Sequence, residues 1–249
     1  MILKKLENLE NYNQKIHEDG YVLIKKLINK NSILKIKKSL KKFLYDNKLK
    51  LKGVNFINKK VKTINTAHNI KKWKYLKMIQ KNKKIQKTAS KILKGRTKEF
   101  GAEVFAKPAK VGLQSPIHQD NFYWNIKSNK GITMWIALDE ANKKNGSLYY
   151  FKKSHKLGLL PHEASNTPGS SQKIKNLKKL NKFKKVYPIL KSGDVLIHDC
   201  LVAHGSNKNN SSKNRMGLTL RFIPAGSKFN LKNKKKYENS LKKQSKSFI

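Results

Sequence analysis

The chain has 249 residues, of which 37% are hydrophobic and 9% aromatic. This length and composition favour one domain with a buried core and argue against a disordered polymer. Lys and Arg number 58 against 14 Asp and Glu, giving a formal net charge of +44. A field of this size attracts anions. We therefore expect a small-molecule substrate that is anionic, and loose electrostatic binding of nucleic acid.

Almost all of this charge is lysine, because only Arg96, Arg215 and Arg221 are arginine. The chain is also rich in Asn and Ile, which share A/T-rich codons with Lys. Recognition of phosphates or bases favours Arg for its bidentate fork. We interpret most of the charge as a bias of composition and expect no specific nucleic-acid partner.

Cys200 is the only cysteine, which excludes an intrachain disulfide and a thiolate zinc site. The first residues, Met1 to Glu7, lack the apolar core of a signal peptide. No stretch approaches the roughly 20 apolar residues of a membrane span. We expect a cytoplasmic protein, and the sequence gives no indication of its oligomeric state.

Residues 1–100 are predicted to be mainly helical. Apolar residues at helical spacing, with Lys-rich outer faces, indicate three helices. The first takes Asn31 or Ser32 as its N-cap. The apolar positions are Ile33, Ile36, Leu40, Phe43 and Leu44 in the first helix, Trp73, Leu76 and Ile79 in the second, and Ile85, Ala89, Ile92 and Leu93 in the third.

Residues 101–225 are predicted to form short strands. Apolar or alternating runs there are bounded by Gly, Pro, Asn and Ser, which favours an antiparallel barrel or jelly roll with the helices on one side. The predicted strands are Ala102–Ala106, Ile117–Asp120, Ile132–Leu138, Ser147–Phe151, Val186–Leu190, Val195–His198 and Met216–Ile223.

Two segments look unlike core. Residues 157–185 combine Pro, Gly and Ser with a lysine-dense run and are predicted to be a mobile surface loop. The loop is either a lid over the site or a tolerated insertion. Residues 228–249 are basic and weakly patterned, which predicts a frayed tail or a single helix.

Several histidines and carboxylates are spaced as metal ligands. His118 and Asp120 lie two residues apart on a predicted strand, so their side chains share one face. A third ligand is available from His198 or His204. Two His and one carboxylate leave three positions open on a metal, as in non-haem Fe(II) oxygenases.

Arg215 opens an apolar strand, where its guanidinium can point inward and would then need an anion. Its fork suits a carboxylate, and a dicarboxylate such as 2-oxoglutarate would join the metal to Arg215. Lys107, beside Pro108, is a weaker candidate for an anionic group at the mouth of the barrel.

The ordered set of motifs resembles the phytanoyl-CoA dioxygenase (PhyH) family, from about Gly20 to Phe222. The opening residues 18–24 are similar to that family's short helix and N-terminal strand. The motifs are His118-x-Asp120, Trp135-Ile136-Ala137-Leu138-Asp139, Asn145-Gly146-Ser147-Leu148, Ser154-His155-Lys156, Gly193-Asp194-Val195, and His204-Gly205-Ser206 followed eleven residues after His204 by Arg215.

The resemblance implies a mainly β domain over residues 1–227, with a double-stranded β-helix (jelly-roll, cupin-like) core. It implies Fe(II) held by His118, Asp120 and His204, and leaves His198 as a buried core residue. The co-substrate 2-oxoglutarate would contact Arg215, Ser206 and Trp135.

The family reaction consumes O2 and 2-oxoglutarate, releases succinate and CO2, and hydroxylates a substrate carbon. Asp120 implies hydroxylation, because halogenating relatives carry a small residue at that position. Two alternatives remain: a nucleic-acid demethylase with the same iron chemistry, and a non-enzymatic basic binding module.

Three features leave questions open. Residues 152–155, Lys-Lys-Ser-His, replace the family's Pro-Gly-Ser-His turn. Glu103 would either repel the co-substrate or bind a cationic group of the substrate. Phe122, Tyr123 and Trp124 would either wall the substrate site or pack in the core.

Overall fold

The computed structural model describes residues 9–47, 49–50, 53–58, 63–68 and 70–246. Residues 1–8, and with them the expectation about a signal peptide, lie outside this range. Among the helices of the described residues, none is long and apolar enough to cross a membrane.

Strands dominate after residue 96, and helices are concentrated before it. In chain order the elements are α1 (Leu9–Asp19), β1 (Tyr21–Ile24), α2 (Lys30–Asn47), β2 (Val54–Asn58), β3 (Thr63–Ala67), α3 (Lys74–Gln80), α4 (Lys83–Ile92), β4 (Thr97–Lys107), β5 (Ser115–His118), α5 (Asp120–Trp124), β6 (Ile132–Ala137), β7 (Leu148–Phe151), β8 (His162–Thr167), β9 (Ser170–Ile174), β10 (Lys185–Val186), β11 (Val195–Asp199), β12 (His204–Ser206), β13 (Arg215–Pro224) and α6 (Leu231–Lys246).

Two antiparallel sheets form the core of the domain. The larger has the strand order β1-β11-β6-β13-β4-β3-β2, and the smaller has the order β10-β7-β12-β5. Their inner faces pack together, with Trp135 and Leu196 of the larger sheet against Tyr150 and Leu148 of the smaller. This is the predicted jelly roll.

Helices α1 to α4 cover the outer face of the larger sheet. Met134 and Ile136 of β6 join one apolar cluster with Ile36 and Leu40 of α2, whereas Trp135 between them faces the other sheet. All six residues of β6 are buried because both of its faces are covered. The predicted layer of helices on one side of the barrel is therefore present.

The helical half differs from the prediction in two ways. It contains β2 and β3, which extend the larger sheet and which the helical periodicity did not reveal. Helix α2 also begins earlier than expected, because the Asn29 side chain accepts a hydrogen bond from the Ser32 amide at 2.8 Å. The N-cap is thus Asn29, and neither Asn31 nor Ser32 serves as the cap.

The prediction of an unstructured loop at 157–185 is wrong. Strands β8 and β9 form a hairpin there, followed by a 3-10 turn at Leu177–Leu180. Ile174 and Leu180 are buried with Leu160 and Ala203 in a small apolar cluster. These few apolar residues, hidden among lysines, anchor the segment. The next predicted strand, Val186–Leu190, shortens to β10.

The C-terminal segment forms a single helix, α6, which was one of its two predicted forms. Tyr237 of α6 packs edge-on against Tyr123, with ring centroids 5.5 Å apart, and against Phe122. Ser240 accepts a hydrogen bond from Gln172 of β9 at 3.1 Å. The helix therefore lies beside α5 and the hairpin.

Candidate metal centre

Three elements of the barrel bring the predicted ligands together. His118 ends β5, His204 begins β12, and these neighbouring strands place the two residues directly opposite each other. Asp120 does not continue β5, as the sequence predicted, but opens the short helix α5. The turn at Gln119 still brings the carboxylate back toward both imidazoles.

The ligand atoms form a compact group. Asp120 Oδ1 lies 3.7 Å from Nε2 of His118 and 3.8 Å from Nε2 of His204. One ligand atom from each residue lies within 4.8 Å of the others, so the three can hold a metal ion. We call these three residues the metal group.

Backbone carbonyls fix the tautomer of both histidines. His118 Nδ1 donates to the Pro116 carbonyl at 2.8 Å, and His204 Nδ1 donates to the Val202 carbonyl at 3.0 Å. A carbonyl oxygen can only accept, so each Nδ1 carries the proton. Each Nε2 therefore turns its lone pair toward Asp120, which is the arrangement that metal ligation requires.

The charge states also suit a metal. Burial lowers the pKa of His118, and burial together with the neighbouring His118 and His198 lowers the pKa of His204 well below its usual value. Burial would raise the pKa of Asp120, but the His198 hydrogen bond and the three histidines outweigh it and lower that pKa. Two neutral imidazoles thus face an ionised carboxylate.

His198 is buried, as predicted, and lies behind the metal group. Its Nε2 donates to Asp120 Oδ2 at 3.1 Å, and its Nδ1 accepts from the Tyr150 hydroxyl at 2.9 Å. The Thr133 hydroxyl also donates to Asp120 Oδ2. These donors occupy Oδ2 and leave Oδ1 facing the histidines.

A second polar group surrounds Arg215, which is only 1% exposed. Its Nε donates to the Gly146 carbonyl at 3.1 Å, and its guanidinium carbon lies 5.3 Å from the centre of the Trp135 ring. Gly217 is required here, because a Cβ at that position would lie 2.0 Å from Trp135 Cζ2.

Lys107 is the cross-strand partner of Arg215 and is buried inside the barrel, so its predicted place at the mouth is wrong. Its Nζ donates to the Asn207 carbonyl. Burial and the Arg215 charge lower the pKa of Lys107 to about 5. Burial likewise lowers the pKa of Arg215 to about 9, an effect that Asp139 partly offsets.

Among the described residues, no carboxylate lies within ion-pair distance of Lys107 or Arg215. Asp139, which acts on Arg215 from further away, is itself paired with Lys37. Two neighbouring buried cations without a paired anion are electrostatically unfavourable unless an anionic ligand joins them.

Ser206 is buried on β12, two residues after His204, so the two side chains share the inner face of the smaller sheet. The family resemblance implies that Ser206 and Trp135 both contact 2-oxoglutarate. The structure puts Trp135 in contact with Arg215, and it records no hydrogen bond of the Ser206 hydroxyl to another described side chain.

Glu103 makes its contacts within the protein, and its two expected roles toward co-substrate and substrate stay predictions. One carboxylate oxygen pairs with Arg221, and the other lies 2.9 Å from His68 Nδ1. Its charge is therefore already matched by a neighbouring cation. Arg221 and His68 had no predicted role, since the sequence gives no sign that they meet Glu103.

The three aromatic residues after Asp120 lie in different surroundings, and their use as a substrate wall stays a prediction. Trp124 is buried in a cluster with Ile126 and Cys200. Tyr123 lies against the metal group, with its ring centroid 5.6 Å from that of His118. Phe122 stacks on His162 of the β8–β9 hairpin, with centroids 4.2 Å apart.

Curated relatives match part of the chain. Bovine peroxisomal phytanoyl-CoA dioxygenase is 29% identical over 115 residues, which cover 44% of this chain and 34% of that protein. The phytanoyl-CoA dioxygenase domain-containing protein 1 homolog of Dictyostelium discoideum is 30% identical over 121 residues, 47% of this chain and 43% of that protein. The match spans less than half of each relative.

Solved structures share the fold across most of the chain. The epimerase SnoN, in complex with Fe3+, alpha ketoglutarate and nogalamycin RO, has a TM-score of 0.73 at 16% identity and covers 91% of this chain and 87% of that one. EvdO2 from Micromonospora carbonacea var. aurantiaca, complexed with 2-oxoglutarate, has a TM-score of 0.70 at 16% identity, with 92% and 95% covered.

A sequence model of the family described as phytanoyl-CoA dioxygenase (PhyH) matches residues 16–217, well over half of the chain. This range includes the metal group, Trp135, Ser206 and Arg215. The chain belongs to the PhyH family, within the superfamily of Fe(II)/2-oxoglutarate-dependent oxygenases.

Proposed function

We propose that the protein is an Fe(II)- and 2-oxoglutarate-dependent dioxygenase that hydroxylates an aliphatic carbon of a small molecule. The observation that carries this proposal is the metal group, in which two imidazoles with fixed tautomers and one ionised carboxylate converge. Family membership and the bound groups of SnoN and EvdO2 support it.

The residues of the metal group fit a ferrous ion. Two histidine nitrogens and one carboxylate oxygen on one side of the ion leave three positions for other ligands. His198 and Thr133 hold Asp120 Oδ2, which favours binding through Oδ1 alone and keeps those positions open. This is the ligand set of mononuclear non-haem iron oxygenases.

The pair of Lys107 and Arg215 fits the far carboxylate of 2-oxoglutarate. Both are buried without a paired carboxylate among the described residues, and Trp135 packs beside the Arg215 guanidinium. A dicarboxylate would bind the metal at one end and these cations at the other. Ser206, on the inner face next to His204, is proposed to line the same site.

Bound iron and 2-oxoglutarate supply the oxidising chemistry, in which O2 and 2-oxoglutarate yield succinate, CO2 and a hydroxylated substrate carbon. The chain's own residues hold the ligand atoms in position and balance the charges of the two carboxylates. We propose hydroxylation over halogenation because the carboxylate of Asp120 occupies the position that halide would need.

Replacement of Asp120 by Ala tests this function. We expect 2-oxoglutarate turnover, measured as succinate release without added substrate, to fall to the level of metal-free protein, and Fe(II) binding to weaken. Asp46→Ala, which removes a surface carboxylate of α2, is the matched control and should change neither. Full succinate release from the Asp120 variant would remove it from the metal group.

A further inference from the structure

Strand β13 carries a second inward-facing guanidinium. Arg221 lies six residues beyond Arg215, and alternate residues of a strand share one face. At about 3.3 Å per residue, their backbones are roughly 20 Å apart. Arg221 is the cross-strand partner of Thr133, whose hydroxyl donates to Asp120. Arg221 therefore lies beside the metal group, at the opposite end of the strand from Arg215.

The region beside the metal group is partly exposed to solvent. The side chains of Asp120 and His118 are 15% and 13% exposed, and those of Arg221 and Glu103 are 15% and 16% exposed. Tyr237 of α6 lies near this region, since its ring centroid is 5.5 Å from that of Tyr123, which in turn lies 5.6 Å from that of His118. We call this space the substrate chamber.

The positive charge of Arg221, beside the substrate chamber, is neutralised by an ion pair with Glu103. The Glu103 carboxylate also accepts a hydrogen bond from His68 Nδ1. Burial and the Arg221 charge lower the pKa of His68 to about 4, and its Nε2 lies 3.2 Å from the Thr66 hydroxyl. His68 is then an uncharged imidazole, and the Arg221, Glu103 and His68 side chains carry no net charge together.

The two ends of β13 therefore differ in electrostatics. Lys107 and Arg215 form a basic end that has no paired carboxylate among the described residues, whereas Arg221 is paired with Glu103. A partly buried ion pair is costly to desolvate and contributes little to stability. Among the described residues, Glu103 is the one ion-pair partner of Arg221, so other guanidinium N–H groups remain available to a ligand.

We infer that Glu103 sets the substrate chamber to accept an uncharged molecule whose hydroxyl or carbonyl oxygens take hydrogen bonds from Arg221. An anionic group there would meet the Glu103 carboxylate, so the dicarboxylate is directed to Lys107 and Arg215. This inference rests on the proposed function. It replaces, for this site, the anionic substrate expected from the net charge.

Counting the 2-oxoglutarate molecules bound per chain tests the inference without knowledge of the substrate. Equilibrium dialysis of the Ni(II)-loaded protein with labelled 2-oxoglutarate should give one site. Glu103→Gln keeps the shape of the side chain but leaves Arg221 unpaired, so a second, salt-sensitive site should appear. The double variant Glu103→Gln/Arg221→Met should return to one site.

Glu99→Gln is the matched control, because it removes the same charge from an exposed position of the same strand. It should bind one 2-oxoglutarate. Two sites in the unaltered protein, or one site in Glu103→Gln, would overturn the inference. No binding in any variant would instead contradict the proposed function.

A second measurement on the unaltered protein does not depend on how the variants fold. Matched pairs of candidate substrates, each a carboxylate and its primary amide or alcohol, are compared for stimulation of succinate release. The uncharged member should stimulate release at least tenfold more strongly. Stronger stimulation by the carboxylates would overturn the inference.

Discussion

At the scale of single residues, the site contains two buried basic side chains whose charged forms are destabilised when no ligand is bound. Lys107 and Arg215 lie side by side, buried, with their donors turned to backbone carbonyls. Burial and mutual repulsion destabilise their charged forms. A dicarboxylate that pairs with Lys107 and Arg215 would stabilise their charged forms, and this gain adds to its binding free energy. The site therefore favours a dicarboxylate over a monocarboxylate.

The titration of Lys107 gives a prediction. With a pKa of about 5 it is uncharged at pH 7, and a bound carboxylate would raise that pKa. Binding of 2-oxoglutarate should thus take up a proton above pH 5. Affinity should be highest at the acidic end of this window and weaken by up to about tenfold per pH unit as pH rises.

Calorimetry of the Ni(II)-loaded protein in buffers of different ionisation enthalpy measures this uptake. We expect up to one proton per ligand in the unaltered protein and none in Lys107→Met. Heats that do not depend on the buffer would show that Lys107 keeps its charge state on binding.

A change at Arg215 tests the geometry of the same site. Arg215→Lys keeps a cation but removes the fork, and should raise the 2-oxoglutarate concentration needed for half-maximal succinate release roughly 10- to 100-fold. Arg96→Lys, at an exposed position, should leave it unchanged. An unchanged requirement in the Arg215 variant would mean that another residue anchors the co-substrate.

Sequence reasoning found the three ligands because their residue types and order are distinctive. Thr133 and Tyr150 were not found, since a Thr or Tyr in an apolar strand has no distinguishing mark until cross-strand register places it beside Asp120 or His198. Lys107 was obscured by the many other lysines. Burial, which the sequence does not report, separates it from them.

At the scale of elements, the turn before Ser154 connects to the metal group. The Ser154 hydroxyl accepts a hydrogen bond from the amide of Ala203, the residue before His204, at 2.9 Å. Lys153, where the family pattern has Gly, adopts a left-handed conformation with φ of +73°. A lysine thus holds a backbone conformation that favours glycine, and the backbone is strained there.

Restoring the glycine should therefore stabilise the protein. We expect Lys153→Gly to raise the free energy of unfolding by about 0.5–1 kcal/mol, because Gly adopts this φ without strain. Lys156→Gly, at an exposed position of the same segment outside the positive-φ residues, should lower it. Urea denaturation measures both, and equal destabilisation by the two changes would contradict the strain at Lys153.

The strands of the barrel were predicted better than the rest, because alternation marks a half-buried strand directly. Strands β2 and β3 were missed, since the hairpin they form joins the larger sheet only through the pairing of β3 with distant β4, and the short runs have no clear alternation. The β8–β9 hairpin was missed because the segment contains few apolar residues, and these pack with residues that are distant in the chain, such as Ile117 and Ala203.

At the scale of the whole molecule, much of the positive charge lies away from the metal group. Lysines cover the outer faces of α2, α3 and α4, on the side of the larger sheet opposite the metal group. A field of this size still draws anions toward the surface. Its effect on nucleic acid should be general and independent of base sequence.

Salt dependence distinguishes this general attraction from specific recognition. Binding to a random DNA duplex should lose at least a thousandfold in affinity between about 50 and 200 mM salt. Methylated and unmethylated duplexes should bind alike and release no succinate above background. Demethylation at physiological salt would support the alternative function of a nucleic-acid demethylase.

The central claim is that His118, Asp120 and His204 bind one ferrous ion to which 2-oxoglutarate coordinates. Visible absorption of the anaerobic protein with Fe(II), recorded before and after 2-oxoglutarate is added, tests it most directly. We predict a metal-to-ligand charge-transfer band in the unaltered protein and none in Asp120→Ala. A spectrum that 2-oxoglutarate leaves unchanged in the unaltered protein would contradict the claim.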